Sequence, residues 1–415
     1  MQTAPKGTRL HIGIFGRRNV GKSSVLNAFT RQEVSIVSET AGTTTDPVEK
    51  AMELLPLGPV LFIDTAGIDD EGALGARRIE RTRRAIDRTD IAVLVTDHAE
   101  IGEFERHLIE EFRNRTIPVI LVFNKSDVYQ PAPETIEALR KETIGVAVTS
   151  ATTGAGIEGL FRALISSVPE EYLTTPTIVG DILPAGELAV LVVPIDLEAP
   201  KGRLILPQVQ TIRDVLDHDA YCMMVKEGEL QDALHRLNRP PKIVITDSQA
   251  FEKVGAIVPR DVPLTSFSIL FARLKGDLRE LVRGAFAIGN LRKGDRVLIF
   301  EACTHHPVED DIGRVKIPRW LQKYVGADLE FAHYQGHDVP SNIGDYKLII
   351  HCGGCVHNRR EMLTRIALAN RAGVPITNYG MAIAYTLGIF ERALEPFPVV
   401  ADLVREHFET QDDQR

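Results

Sequence analysis

Short apolar runs recur along the chain, separated by longer segments of mixed polarity. Among those in the N-terminal third are LHIGIF (10–15), PVLFI (59–63) and PVILVF (118–123). Their length and composition are typical of strands that are buried on both faces. Such strands alternate with helices in α/β proteins, so the pattern predicts a mostly parallel sheet in this part of the chain.

The middle of the chain repeats the pattern on a smaller scale. LAVLVVPI (188–195), AYCMMV (220–225) and KIVIT (242–246) predict three buried strands. Helical spacing between them predicts a small α/β unit, with Cys222 expected in its core. No set of catalytic residues converges in this unit. We therefore expect an interface that extends its sheet across a two-fold axis and makes a homodimer.

The C-terminal third contains two strands that end at cysteines. RVLIFEAC ends at Cys303, and DYKLIIHC ends at His351 and Cys352, with Cys355 following after two glycines. Helix-like REMLTRIALANRAG comes next, so a parallel sheet is predicted again. Because ligands of an open parallel sheet gather beyond the carboxyl ends of its strands, we expect all three cysteines at one rim.

Three α/β domains are therefore predicted, at residues 1–170, 180–265 and 266–415, in a chain of 415 residues. A Pro- and Thr-containing linker, 169–184, joins the first two. The content of 44% hydrophobic and 25% charged residues is that of an ordinary globular protein.

The net charge and the search for targeting segments indicate which kinds of partner and compartment to expect. The net charge of -9 argues against a nucleic-acid-binding role. We find no signal-peptide pattern and no run of 18 apolar residues, so we expect a cytoplasmic protein without a membrane partner. Four cysteines, two of them in a C-x-x-C, favour metal binding or redox chemistry over a disulfide framework.

A complete guanine-nucleotide motif set lies in the first domain. The run Gly16-x-x-x-x-Gly21-Lys22-Ser23 directly follows a predicted strand, as a P-loop requires. Lys22 is expected to contact the β/γ-phosphate oxygens, and Ser23 to ligate Mg²⁺. The loop residues expected to bind GTP are Gly16, Asn19, Val20, Gly21, Lys22, Ser23 and Ser24.

The remaining motifs follow in the order typical of GTPases. Asp64 should hold Mg²⁺ through water, and the Gly67 N–H should meet the γ-phosphate. The carboxylate of Asp127 can accept both hydrogen bonds from the guanine edge, which gives base specificity. The expected catalytic residues are Lys22, Thr44, Asp64 and Gly67, and the further nucleotide contacts are Thr43, Thr44, Asn124, Lys125, Asp127, Ser150 and Ala151.

With GTTTD (42–46) and DTAG (64–67) in this arrangement, the first 170 residues resemble GTPases of the TrmE/Era type. Ile68 stands where Ras-like enzymes carry a water-orienting glutamine, so intrinsic hydrolysis should be slow. The resemblance implies that Asn19 coordinates an activating K⁺, although an asparagine that only stabilises a turn has the same sequence. The arginine-rich segment after DTAG also contains acids and an apolar stripe, which favours a solvated helix face over an RNA-binding one.

Three cysteines with nearby histidines can form two kinds of site. Cys303, Cys352 and Cys355 with an imidazole such as His305 could hold zinc, or they could hold an iron–sulfur cluster with one iron not bound by cysteine. The spacing alone does not decide between these two sites.

The combination of C-x-H, 45 intervening residues and H-C-x-x-C, downstream of such a GTPase domain, resembles the HydF family of FeFe-hydrogenase maturases across essentially the whole chain. The resemblance implies a 4Fe-4S cluster on Cys303, Cys352 and Cys355, a dimerising middle domain, and a scaffold for the diiron precursor of the hydrogenase. It also implies the radical-SAM maturases HydE and HydG, and the FeFe-hydrogenase itself, as partners.

The fourth iron position should be held weakly, so that an incoming ligand can displace its protein ligand. We consider His305, the acidic run Glu309-Asp310-Asp311, His351 and solvent for this role, and His351 is disfavoured because it should point away from Cys352 on a strand. The alternative function is a TrmE/Era-like GTPase in RNA or ribosome maturation with a structural zinc site.

Overall fold

In the computed structural model the chain forms two compact units, Met1–Pro176 and Thr177–Arg415. Both units are α/β, with three sheets among the residues described, which confirms the predicted fold class. In the part of the chain described, no helix is both long and apolar enough to cross a bilayer. The described residues are 5–30, 48–65, 82–98, 100–142, 144–169, 172, 177–194, 204–302, 311–337, 339–340 and 342–412.

The first unit contains a six-stranded sheet in the order β2-β3-β1-β4-β5-β6. Its strands are β1 (Leu10–Phe15), β2 (Val48–Leu54), β3 (Gly58–Asp64), β4 (Ile91–Thr96), β5 (Val119–Phe123) and β6 (Gly145–Val148). Strand β2 is antiparallel to β3, and the other neighbours pair in parallel.

Helices cover both faces of this sheet, which explains why β1, β4 and β5 are buried throughout. The helices are α1 (Lys22–Thr30), α2 (Glu103–Asn114), α3 (Pro133–Lys141) and α4 (Ile157–Ser166). Successive strand residues face opposite sides, so Ile14 packs in the core with α1 and α4, whereas Phe15 packs with α2 and α3.

The second unit contains two four-stranded parallel sheets. One has the order β10-β9-β7-β8 and the other β12-β11-β13-β14. Their strands are β7 (Leu188–Val192), β8 (Tyr221–Val225), β9 (Ile243–Thr246), β10 (Leu264–Ser266), β11 (Arg296–Glu301), β12 (Glu330–Gln335), β13 (Leu348–His351) and β14 (Ile376–Asn378).

One hydrophobic core runs through both sheets of this unit, from Ile178 to Val404. The two predicted C-terminal domains therefore share a core. The helices are α5 (Leu206–Asp217), α6 (Leu230–His235), α7 (Phe251–Ile257), α8 (Phe267–Lys275), α9 (Leu278–Phe286), α10 (Ile317–Val325), α11 (Arg359–Arg371), α12 (Tyr379–Thr386), α13 (Phe390–Leu394) and α14 (Pro398–Asp412).

Cys222 is less buried than predicted, although it packs against the core of the second unit. It lies on β8, the edge strand of its sheet, and is only partly buried. Burial nevertheless raises the pKa of its thiol. The same strand exposes 65% of Tyr221 and 38% of Met224, because an edge strand lacks a neighbour on one side.

Candidate functional site

The P-loop connects β1 to α1 with the backbone that a phosphate-binding loop requires. Gly16 has φ +142°, and a Cβ there would lie 2.3 Å from the Val95 carbonyl oxygen. Gly21 has φ +92°, and a Cβ there would lie 2.4 Å from Nδ2 of Asn124. Glycine is therefore required at both positions for steric reasons. Asn19 also has a left-handed backbone, with φ +63°.

Lys22, Ser23 and Asp64 lie together at the end of this loop. The Lys22 ammonium donates to the carbonyls of Gly16 at 3.0 Å and Arg17 at 2.7 Å, so it folds back over the loop. The Ser23 hydroxyl donates to Asp64 Oδ2 at 2.6 Å. Asp64 Oδ1 is buried without a hydrogen-bond partner among the described residues. Burial raises the pKa of Asp64, and a bound Mg²⁺ would offset that cost, so these residues fit the ion.

The residues predicted to recognise guanine lie together beyond β5 and β6. Asn124 donates to the Val20 carbonyl at 2.9 Å and accepts from the Ala151 amide at 3.1 Å, which ties the P-loop to the loop after β6. A hydrogen bond from Ser150 holds the pKa of the exposed Asp127 below its usual value. A carboxylate that stays ionised is the acceptor predicted for the guanine edge.

Lys125 has a contact that sequence motifs did not indicate. Its ammonium lies 2.6 Å from Asp97 Oδ2 and donates to the Asn19 carbonyl at 3.0 Å. Asp97 follows β4, and the only sequence signal for it was a carboxylate directly after a buried strand. This contact holds Asn19 in place.

Several expected site residues lie outside the described part of the chain. In the first unit these are Thr43, Thr44 and Gly67, and in the second unit they are Cys303, His305, Glu309 and Asp310. Their roles stay predictions.

Cys352 and Cys355 lie just beyond the carboxyl end of β13. The Cys352 amide donates to the Phe300 carbonyl at 2.9 Å, so the chain leaves β13 beside the end of β11. Backbone amides of Ala302 and Gly354 donate to Cys352 Sγ at 3.1 and 3.5 Å. Amide donors of this kind stabilise a thiolate. Both cysteines are partly buried, as metal ligands at a rim would be.

A buried lysine that the sequence did not reveal anchors this loop. Lys275, the last residue of α8, is 3% exposed. Its ammonium donates to the carbonyls of Gly354 at 2.9 Å, Cys355 at 3.1 Å and His357 at 2.8 Å. Burial lowers the pKa of Lys275 to about 8, although the nearby cysteines oppose the shift.

Arg359, in the segment that follows the cysteines, donates hydrogen bonds to the end of α8. From the first turn of α11 it donates to the carbonyls of Leu274 at 2.8 Å and Gly276 at 3.1 Å. The end of α8 and the cysteine loop are therefore joined by two cations, each bound to the other segment's backbone.

His351 is fully buried, and both of its ring nitrogens have partners. Nδ1 lies 2.7 Å from the Cys352 carbonyl oxygen, and Nε2 lies 2.7 Å from Nη1 of Arg365. Burial and the Arg365 charge lower the pKa of His351 to about 3, so the ring is neutral. This geometry positions the loop and leaves His351 poorly placed as a cluster ligand.

Two carboxylates in this part of the second unit, those of Asp311 and Glu301, accept hydrogen bonds. Asp311, the described member of the acidic run, is 1% exposed, and its Oδ1 accepts from the Arg314 amide at 2.8 Å. Glu301 ends β11 and accepts from the Tyr379 hydroxyl at 3.2 Å. Burial, with the charges of Cys352 and Glu301, raises the pKa of Tyr379 well above its usual value.

Comparisons with known families cover most of the chain. A family model described as 50S ribosome-binding GTPase matches residues 11–125. The hydrogen maturase F (HydF) dimerization domain matches residues 178–276, and the HydF tetramerization domain matches residues 279–396. Together the two HydF models match more than half of the chain.

The chain belongs to the HydF family. Its first domain is also similar to GTPase Der of Wolinella succinogenes, with 42% identity over 29% of this chain and 26% of Der. GTPase Era of Rippkaea orientalis is 34% identical over 43% of this chain and 59% of Era. Thus the match spans from about a quarter to three fifths of the length of these relatives.

Among solved structures, that of a substituted Aquifex aeolicus Era bound to GDP.AlF4- is 27% identical. The match covers 38% of this chain and 56% of the Era chain, with a TM-score of 0.33. The HydF assignment rests on the two C-terminal family models and not on this likeness.

Proposed function

We propose that this HydF-family chain binds and hydrolyses GTP and holds a 4Fe-4S cluster on Cys303, Cys352 and Cys355, as scaffold and carrier of the diiron precursor of FeFe-hydrogenase. The observation that carries the proposal is the pair of thiols beyond β13, inside the region that matches the HydF tetramerization domain. Radical-SAM maturases HydE and HydG, which build the precursor, and the hydrogenase, which receives it, are the proposed partners.

The residues around Cys352 and Cys355 fit an iron–sulfur cluster. Thiolates are the donors that such clusters use, and amide hydrogen bonds to sulfur together with a nearby cation offset the negative charge of a bound cluster. Here the amides of Ala302 and Gly354 supply the first feature, and Lys275 supplies the second. A cluster held by three cysteines keeps one iron open to an exchangeable ligand, which a carrier needs.

The metal content of anaerobically purified protein tests this function. We expect iron and inorganic sulfide in nearly equal amounts and a brown colour, all lost when Cys352 and Cys355 are changed to serine. Colourless protein whose zinc, one per chain, is lost in the same serine variant would instead support the GTPase with a structural zinc site, since Zn²⁺ has no visible absorption.

For GTP hydrolysis, the chain supplies charge and position rather than covalent chemistry. Lys22 would move from the Gly16 and Arg17 carbonyls to the β/γ-phosphates, and Ser23 and Asp64 would separate to accept Mg²⁺ between them. Asn124 and Asp127 hold the base. A bound Mg²⁺ neutralises charge on the phosphate oxygens.

Turnover is expected to be slow and to depend on K⁺. No water-orienting glutamine follows DTAG, so another positive charge near the β/γ bridge is needed. Asn19, whose carbonyl accepts a hydrogen bond from Lys125, would coordinate that K⁺. Steady-state turnover should rise when Na⁺ is replaced by K⁺ at constant ionic strength. Equal rates in the two salts would rule out this role for K⁺.

Homodimerisation is proposed to use β8. The Tyr221 amide donates to the Glu187 carbonyl, on the side of β8 that faces β7. Because successive amides along a strand point to opposite sides, the Met224 amide points away from β7, toward the open edge. Met224→Pro should therefore abolish pairing of this edge with a second copy while leaving the bonds between β7 and β8 intact.

Sedimentation velocity would measure the effect. We expect Met224→Pro to shift the protein to a smaller species and Met224→Thr, the matched control, to behave like wild type. A dimer that persists in the proline variant would place the interface elsewhere.

A further inference from the structure

Two histidines and a glutamate, none of them a proposed cluster ligand, lie close together in the second unit. Ligand atoms of His337, His357 and Glu361 all lie within 4.8 Å of one another. His337 Nδ1 is 2.6 Å from Glu361 Oε1, and His357 Nε2 is 3.3 Å from the same oxygen. The two imidazole rings are 5.1 Å apart, tilted by 26°.

The arrangement is built into the fold. His357 is fully buried and Glu361 is 4% exposed, while the His337 side chain is 41% exposed. Glu361 lies in the first turn of α11, whose N-cap residue Asn358 accepts from the Glu361 amide at 3.1 Å. Arg365 donates to the Gly336 carbonyl and so fixes the turn that carries His337. Two ligands are therefore held rigidly, and the third opens to solvent.

We propose that His337, His357 and Glu361 form a binding site for a divalent transition-metal ion of the Zn²⁺, Fe²⁺ or Co²⁺ class, separate from the cysteine site. Ligands at about 2.1 Å in tetrahedral geometry are about 3.4 Å apart, close to the 3.3 Å between His357 and Glu361. His337 need only swing outward from its hydrogen bond to Glu361, and its exposure permits that.

The donor set and the local charge select the class of ion. Two imidazoles and one carboxylate suit borderline transition metals, whereas Mg²⁺ and Ca²⁺ prefer sites made of oxygen. Arg365 Nη2 lies 3.6 Å from Glu361 Oε1, so the site has little net negative charge and would bind hard cations weakly. Three protein ligands leave a fourth position for water or an anion.

Co²⁺ titration of the full chain tests the site apart from the cluster. In a background with Cys303, Cys352 and Cys355 changed to serine, we expect one Co²⁺ per chain, with visible bands of nitrogen and oxygen ligation. His337→Ala and Glu361→Gln in the same background should lower the affinity at least about tenfold. The surface variant His235→Ala is the matched control and should bind Co²⁺ like its parent.

A second measurement covers the case in which the serine background does not fold. Cluster-loaded protein is incubated with ZnCl₂ and desalted, and its zinc is compared with that of loaded His337→Ala, whose exposed side chain can be removed without disturbing the core. One zinc retained by the parent and lost in the variant supports the site. Absence of Co²⁺ or Zn²⁺ binding, or equal binding with and without His337, overturns it.

Discussion

Changing Lys22 to alanine is expected to lower GTP turnover at least about a hundredfold, because the variant loses the cation that stabilises charge on the β/γ-phosphates. The iron content should not change. Cys352 and Cys355 belong to the second compact unit, whose core begins at Ile178, whereas Lys22 belongs to the first. GTP turnover is measured by phosphate release and iron content by chemical analysis, both on the same preparation.

The exposed Lys141 at the end of α3 provides the matched control. Lys141→Ala should hydrolyse GTP at the wild-type rate. The reciprocal variant Cys303→Ser should lose the cluster and keep GTP turnover. Loss of turnover in folded Cys303→Ser protein would contradict the separation of the two activities.

The second large effect is expected at Lys275. Lys275→Met keeps the length of the side chain but leaves the carbonyls of Gly354, Cys355 and His357 without their shared donor. The loss should destabilise the second unit by roughly 3 kcal/mol, since a buried acceptor without a donor is costly. Iron content should also fall, because the loop that carries both cysteines loses its anchor.

Trp320, the single tryptophan of the chain, lies in α10 and packs against the core of this unit. Its fluorescence during urea unfolding therefore reports on the second unit. The exposed Lys253→Met is the control and should leave the unfolding midpoint and the iron content unchanged. A wild-type midpoint in Lys275→Met would show that the three hydrogen bonds contribute little.

The placement of the predicted GTP-binding residues at one edge of the sheet was largely predictable, because they occur in short contiguous motifs, each directly after a strand. Buried strands are recognisable as apolar runs, and the carboxyl ends of parallel strands share one edge of a sheet. The sequence thus indicated Lys22, Asp64, Asn124 and Asp127 without knowledge of helix packing.

The surroundings of the cysteines were harder to predict because their contacts join distant parts of the chain. Lys275 lies 79 residues before Gly354, and nothing near it in the sequence distinguishes it from a lysine at a helix end. His337 and Glu361 likewise come together only when the turn after β12 meets α11. Cys222 is less buried than predicted because an apolar run does not show which strand lies at a sheet edge.

The hydrogen bonds by which Lys275 and Arg359 each bind the other's segment limit where this chain can be divided. The two HydF family models meet between residues 276 and 279, which invites fragments or chimaeras joined at that point. Such a junction would put Lys275 on one piece and the carbonyls that it binds on the other, and Arg359 would be separated from Leu274 and Gly276 in the same way. A transplantable cysteine module must therefore begin upstream of α8, at or before Phe267.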